Sequence, residues 1–321
     1  MSSVLHNVNL ALNRLIPVTT PFAVALGLFL PDIFIKLRPF VILLFGIMTF
    51  SGALKLTVKE LGKTVYSPLP IILFFISSHI IMPLAALSSS SLVFSNPDII
   101  TGFVLLFAGP TAVSGFIWAA IFKGDKALAL TFILLDTMLA PLTVPTALFV
   151  FSGARVMMDM SGIAVSLVFM VVVPTIAAVS INELSRGKIP DAVCPVVEPF
   201  AKICLILVIA ANSSAAAPGI KFSDPVFWIA AALCIALTFA GFLLAKLSGL
   251  AGKCGREKGA SLIIAGGLRN NSAVMTIAVT FFPESAVLPT LVSIIFQQSI
   301  AALMGRLLIK KPGNDQRVKS I

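Results

Sequence analysis

Charge is what this sequence lacks. Of its 321 residues only 11% are Asp, Glu, Lys or Arg, against about a quarter in ordinary soluble domains. Such a chain cannot clothe a water-soluble globule, and no soluble domain is visible between its apolar runs. Carboxylates number thirteen, and all but Asp136 fall in loops or near the membrane interfaces. The four cysteines, Cys194, Cys204, Cys234 and Cys254, form no CxxC and have no His at metal-ligand spacing, so they read as structural thiols. The spans hold no HExxH, no paired-aspartate phosphate site and no convincing Ser–His base pair, which weighs against an intramembrane enzyme. The opening MSSVLHNVNLALNR lacks the basic start and apolar core of a signal peptide. It suits a short amphipathic helix on the cytoplasmic face.

Apolar residues take up the difference. They make 58% of the chain and lift its mean hydropathy to +1.07. A helix crosses the hydrocarbon of a bilayer with roughly 20 of them in a row. About ten such stretches are present, near 15–31, 39–57, 69–92, 99–122, 127–151, 161–182, 199–217, 226–249, 260–282 and 286–309. The linkers are short, so the spans pack as one bundle. The net charge of +10 does not imply nucleic acid, because of where the charge lies. Alternate loops and the two termini hold 17 of the 23 Lys and Arg, the intervening loops 4. The positive-inside rule then puts both termini in the cytoplasm of a multi-pass protein of the inner (cytoplasmic) membrane, with anionic lipid as the further partner of the basic loops.

Ten spans divide into two sets of five, residues 1–151 and 152–311, followed by a cytoplasmic tail at 312–321. An odd number per set reverses the second set, which is the arithmetic of an inverted repeat. Corresponding spans also share a defect. The fourth holds GPTAVSG at 109–115, and the ninth holds AGGLRNNSA at 265–273. Pro110 lacks an N–H and clashes with the preceding turn; Gly266 and Gly267 weaken the second helix. Opened backbone is tolerated at membrane depth only where it lines a cavity or is buried in protein, and half-helix starts favour anions. Arg269 sits in the second break, and a fixed charge at that depth points to a functional site. Thr111, Ser114, Arg269, Asn270, Asn271 and Ser272 are therefore the candidate substrate-binding residues. Asp136, well inside the fifth span, is the carboxylate at comparable depth and the expected partner of Arg269. His79, beside Ser77 and Ser78 in the third span, is a second coupling candidate or a packed core histidine. Gln297 and Gln298 in the last span are suited to bridging helices.

At these breaks the chain resembles the bile acid:sodium symporter family. The resemblance runs through PDIF, LLFGIMTFSGALKLT, IIMP, GPTAVSG with FKGDKALAL, LLDTMLAPLTVP and GLRNNSAVM, in that order. It implies an all-α fold of ten helices in two inverted five-helix repeats. Helices 1, 2, 6 and 7 would form a panel domain and helices 3–5 and 8–10 a core domain. Unwound fourth and ninth helices would cross in that core, and family substrates are bile acids, pantoate-like precursors, pyruvate and other organic carboxylates. The family also holds two sodium ions there, and here this sequence departs. Gly115 and Phe116 stand where the family carries Ser and Asn, and Ala129 and Ile133 where hydroxyls are usual. Ala265 replaces an acid, Arg269 a Gln, and Ser78 the Gln of the third helix, while Asn270 keeps its place. Asp136 falls at a Ser/Thr-type position. The expectation is a secondary transporter of a small organic carboxylate without the usual sodium sites, hence without cofactor or metal. The alternatives are a non-transporting receptor on a transporter scaffold and a sodium-dependent symporter with altered ligands.

Overall fold

A computed structural model describes residue 19 and residues 21–54, 68–152, 159–219 and 222–309. The amphipathic N-terminal segment, the start of the first apolar stretch and the C-terminal tail lie outside the described residues. The described chain is helical, with no strand beyond one isolated bridge. In order, the helices are α1 (residues 21–29), α2 (Pro31–Ala53), α3 (Pro68–Val93), α4 (Pro97–Ala108), α5 (Gly115–Ile121), α6 (Lys126–Ser152) and α7 (Met160–Ser185). They continue as α8 (Lys188–Ala216), α9 (Pro225–Ala251), α10 (Arg256–Gly267), α11 (Asn271–Phe281) and α12 (Leu288–Leu308). Among the described residues seven helices are long and apolar enough to cross a membrane: α2, α3, α6, α7, α8, α9 and α12 with its preceding 3₁₀ turn. The protein is a multi-pass membrane protein.

Local chemistry explains the helix starts. Asn96, Asp159 and Asp224 accept the N–H groups of Asp98, Gly162 and Val226 at α4, α7 and α9, each satisfying a donor that the first turn leaves open. At Asp159 those hydrogen bonds hold the carboxyl below its ordinary value of 3.8. Prolines shape the interiors. Pro83 has no N–H to give the carbonyl four residues back, and the preceding turn widens into a π-helix at Ser77–Ile81. Pro174 follows a second π turn, Val168–Val172, in the same way. The long helix α8 corrects the expected start near residue 199. It begins eleven residues earlier, at Lys188, and runs through Pro195 and Pro199, because its buried Cys194, Ala201 and Cys204 continue one packed face.

Two apolar stretches are not continuous helices. Residues 99–122 form the end of α4 and α5, separated at Gly109–Ser114; residues 260–282 form α10 and α11, separated at Leu268–Asn270. The second break begins later than the glycines suggested. Gly266 and Gly267 belong to α10, and their role is close packing on α9. A Cβ at Gly267 would run into the Phe242 ring, and one at Gly266 would lie 2.6 Å from the Ala245 Cβ. At the first break Gly109 packs on Val274 of α11 so closely that any Cβ there would collide with the valine methyl. The interrupted helices are thereby pressed together.

Candidate functional site

The two breaks meet. Thr111 and Arg269 form the isolated antiparallel bridge, and the Asn270 N–H donates to the Pro110 carbonyl at 2.7 Å. Several groups that the interruption frees find partners, as burial demands. The Thr111 N–H donates to Asp136 Oδ2 at 2.7 Å. The Thr111 hydroxyl reaches the carbonyls of Ala265 (2.8 Å) and Leu268 (3.1 Å). Gln297 of α12 clasps the backbone of Arg269 with both ends of its amide. Its Oε1 accepts the Arg269 N–H and its Nε2 donates to the Arg269 carbonyl, each at 2.9 Å. Side chains from α6 and α12 thus do here what a helix ladder does elsewhere.

The guanidinium of Arg269 is buried, with 3% of the residue exposed. Its Nε donates to the Phe107 carbonyl at 3.2 Å and Nη1 to the Leu268 carbonyl at 3.3 Å. Phe107 belongs to the last turn of α4, and Leu268 caps α10. A positive charge therefore sits at the carbonyl ends of two half-helices, where the backbone dipoles favour a cation. Nη2 has no protein partner.

Asp136 is fully buried, but its ion-pair partner is not the arginine. His79 Nε2 lies 2.7 Å from Asp136 Oδ1, and the other carboxylate oxygen takes the Thr111 N–H. Of the interaction expected between Asp136 and Arg269, direct or through water, the direct ion pair is not formed: Nε and Nη1 of the guanidinium donate to main-chain carbonyls. The π turn carries His79, whose ring stacks on Phe75 with centroids 5.3 Å apart.

The other candidates separate. Thr111 is wholly buried and its hydrogen bonds are used inside the crossing. Asn270 caps α11 through the Ala273 N–H (3.3 Å), and the Asn271 Oδ1 accepts from the Ser293 hydroxyl (3.1 Å). Ser114, at the start of α5, accepts from Gln298 at 3.4 Å, and Gln298 also accepts the Trp118 indole N–H at 2.8 Å. Ser272 is half-buried and gives its carbonyl to the Thr276 hydroxyl. Ser78 is buried with an unpartnered hydroxyl. Sequence reasoning treated Gln297 as a helix bridge and missed that it fastens Arg269 itself; nothing in an isolated QQ pair tells which backbone it will hold. Two cavities, of about 500 Å3 beside α2 and α7 and about 410 Å3 at the starts of α4 and α9, lie away from this crossing.

Comparison with known proteins places the chain in a family. The model of the Sodium Bile acid symporter family matches residues 41–221. The uncharacterized protein YbaS of Bacillus subtilis is 39% identical over 293 residues, covering 91% of this chain and 96% of its own. The uncharacterized sodium-dependent transporter YocS of Bacillus subtilis is 25% identical over 172 residues, 54% of this chain and 53% of its own. The matched family model takes in more than half of the sequence, first break included, and the chain belongs to the Sodium Bile acid symporter family.

Proposed function

We propose that this secondary transporter carries a small organic anion, of the bile-acid, pantoate or keto-acid type, and that Arg269 stands in its crossing where the family places sodium. One observation carries the reading: a buried guanidinium donates to the Phe107 and Leu268 carbonyls at the ends of two interrupted helices. Hard cations need several oxygen ligands. At the family's sodium positions Gly115, Phe116, Ala129, Ile133 and Ala265 offer no side-chain oxygen, and the nearby helix-end carbonyls already face the arginine. The donor set does not fit sodium. Arg269 has an unpartnered NH2 group, Nη2, with two free N–H donors, which suits a carboxylate as a charge-assisted partner. Ser114, Asn270 and Ser272, all half-buried, supply polar groups beside it.

The same reading takes the ten apolar stretches as two inverted repeats of five, with α4–α5 and α10–α11 as the interrupted fourth and ninth members. Both termini lie on the cytoplasmic side of the inner membrane, as the loop charges require. Uptake of radiolabelled pyruvate, pantoate and taurocholate into proteoliposomes tests it. The expected result is uptake of at least one of the three at equal rates in sodium and choline media, and its loss in Arg269→Gln. The name of the YocS relative favours a sodium-dependent symporter instead; stimulation by a sodium gradient would establish that reading and remove this one.

A further inference from the structure

His79 and Asp136 make a buried acid–base pair that anion binding at Arg269 leaves unused. The imidazole Nε2 and the carboxylate Oδ1 are 2.7 Å apart, with 8% and 0% of the two side chains exposed. The pair is in ion-pair contact without hydrogen-bond alignment, so Nε2, Oδ1 and His79 Nδ1 all have no other protein partner. Through Oδ2 the pair is tied to Thr111, in the first break, so its charge bears directly on the crossing.

The charge count is informative. The pair is neutral when it holds its proton, as imidazolium with carboxylate, and carries −1 when the proton is gone. Arg269 adds a fixed +1. The core is thus +1 with the proton and 0 without it. A bound monocarboxylate brings these totals to 0 and −1. Uncompensated charge is costly in a low-dielectric interior. Two states are neutral: proton and anion both bound, or both absent. The half-loaded states are charged.

We propose that the His79–Asp136 pair is a proton-binding site whose occupancy is linked to that of the anion, making the carrier an electroneutral one-to-one proton–anion symporter. The proton is taken from water on the entry side through the imidazole, the more exposed partner, is held on the imidazole as the cation of the ion pair with Asp136, and is returned to water on the other side. Only N–H and O–H bonds form and break. Among the described residues the charged groups facing the pair are its own two members and Arg269. The other titratable side chains on helices packed against it belong elsewhere. Asp98 begins α4 beside Ser285, Cys234 donates to the Pro289 carbonyl, Glu257 and Lys258 open α10, three turns before the crossing, and Lys246 is near the end of α9.

This inference rests on the carrier reading above. Sodium-free proteoliposomes and the same three probes, pyruvate, pantoate and taurocholate, test both and separate them. An outside medium one pH unit more acidic than the lumen should drive accumulation towards about tenfold, and an imposed membrane potential should add nothing. Asp136→Asn and His79→Gln should each lose acid-driven accumulation while still exchanging labelled for unlabelled substrate. Exchange by His79→Gln, at the more accessible partner, keeps the test alive should Asp136→Asn not fold. Acid-driven accumulation that survives both substitutions, or uptake driven by potential alone, overturns the symport. Uptake of none of the three probes under any gradient removes the carrier reading and this inference with it.

Discussion

Arg269 is held by its backbone as firmly as by its side chain. Gln297 hydrogen-bonds both its N–H and its carbonyl; the carbonyl also accepts the Asn271 N–H, so removing Gln297 leaves the buried Arg269 N–H unpaired. Such a group costs about 1–3 kcal/mol. Gln297→Ala should therefore lower the melting temperature in detergent clearly more than Gln298→Ala, whose partners Trp118 and Ser114 are half-buried; equal melting points for the two variants would contradict that role. At this scale the sequence was legible in part. A lone arginine and a lone aspartate in apolar surroundings announced themselves, and the crossing contains both. Their partners did not. Asp136 meets His79, 57 positions away, and Arg269 meets the carbonyl of Phe107 across 162. Main-chain carbonyls carry no sequence signature, so an arginine that binds them looks in the sequence like one in need of an acid.

The interrupted helices and the π turns show the same limits one level up. Pro110 marked the first break correctly, since α4 ends at Ala108. In the second, Gly266 and Gly267 are the last two residues of α10, just before the break; a glycine needed for close approach and a glycine needed for a break look alike in sequence. Packing tells them apart. Gly267→Ala would drive a methyl into the Phe242 ring, and overpacking of this kind costs about 1–3 kcal/mol. Gly259→Ala, inside α10, where a Cβ meets nothing nearer than 3.8 Å, is the control expected to melt no lower than the wild type; the measurement is thermal unfolding of the two side by side. The π turn at Ser77–Ile81 sets which way His79 points. Pro83→Ala restores the missing N–H donor, lets the turn tighten and rotates His79 away from Asp136. Acid-driven accumulation should fall as it does in His79→Gln, and unchanged accumulation would show that the π turn does not place the histidine.

For the whole molecule, charge is distributed along two directions. Across the membrane, the basic residues crowd alternate loops; within the bundle, His79, Asp136 and Arg269 gather at one crossing. The first pattern predicts cytoplasmic termini. Ser3→Cys and Ser320→Cys should resist an impermeant maleimide in intact cells and react after permeabilisation, whereas labelling of either in intact cells would reverse the topology. The membrane character of the fold was plain from composition, since scarcity of charge and long apolar runs leave no other solvent for these helices. The meeting of two distant breaks was not, because no local pattern specifies that Thr111 pairs with Arg269. The second pattern leads to the central claim, that a tethered guanidinium occupies the place of a bound ion. Equilibrium binding of ²²Na⁺ to the purified protein addresses it most directly. The account predicts no saturable sodium binding to the wild type; saturable binding that survives competition by potassium would show that the crossing holds sodium alongside Arg269 and would contradict it.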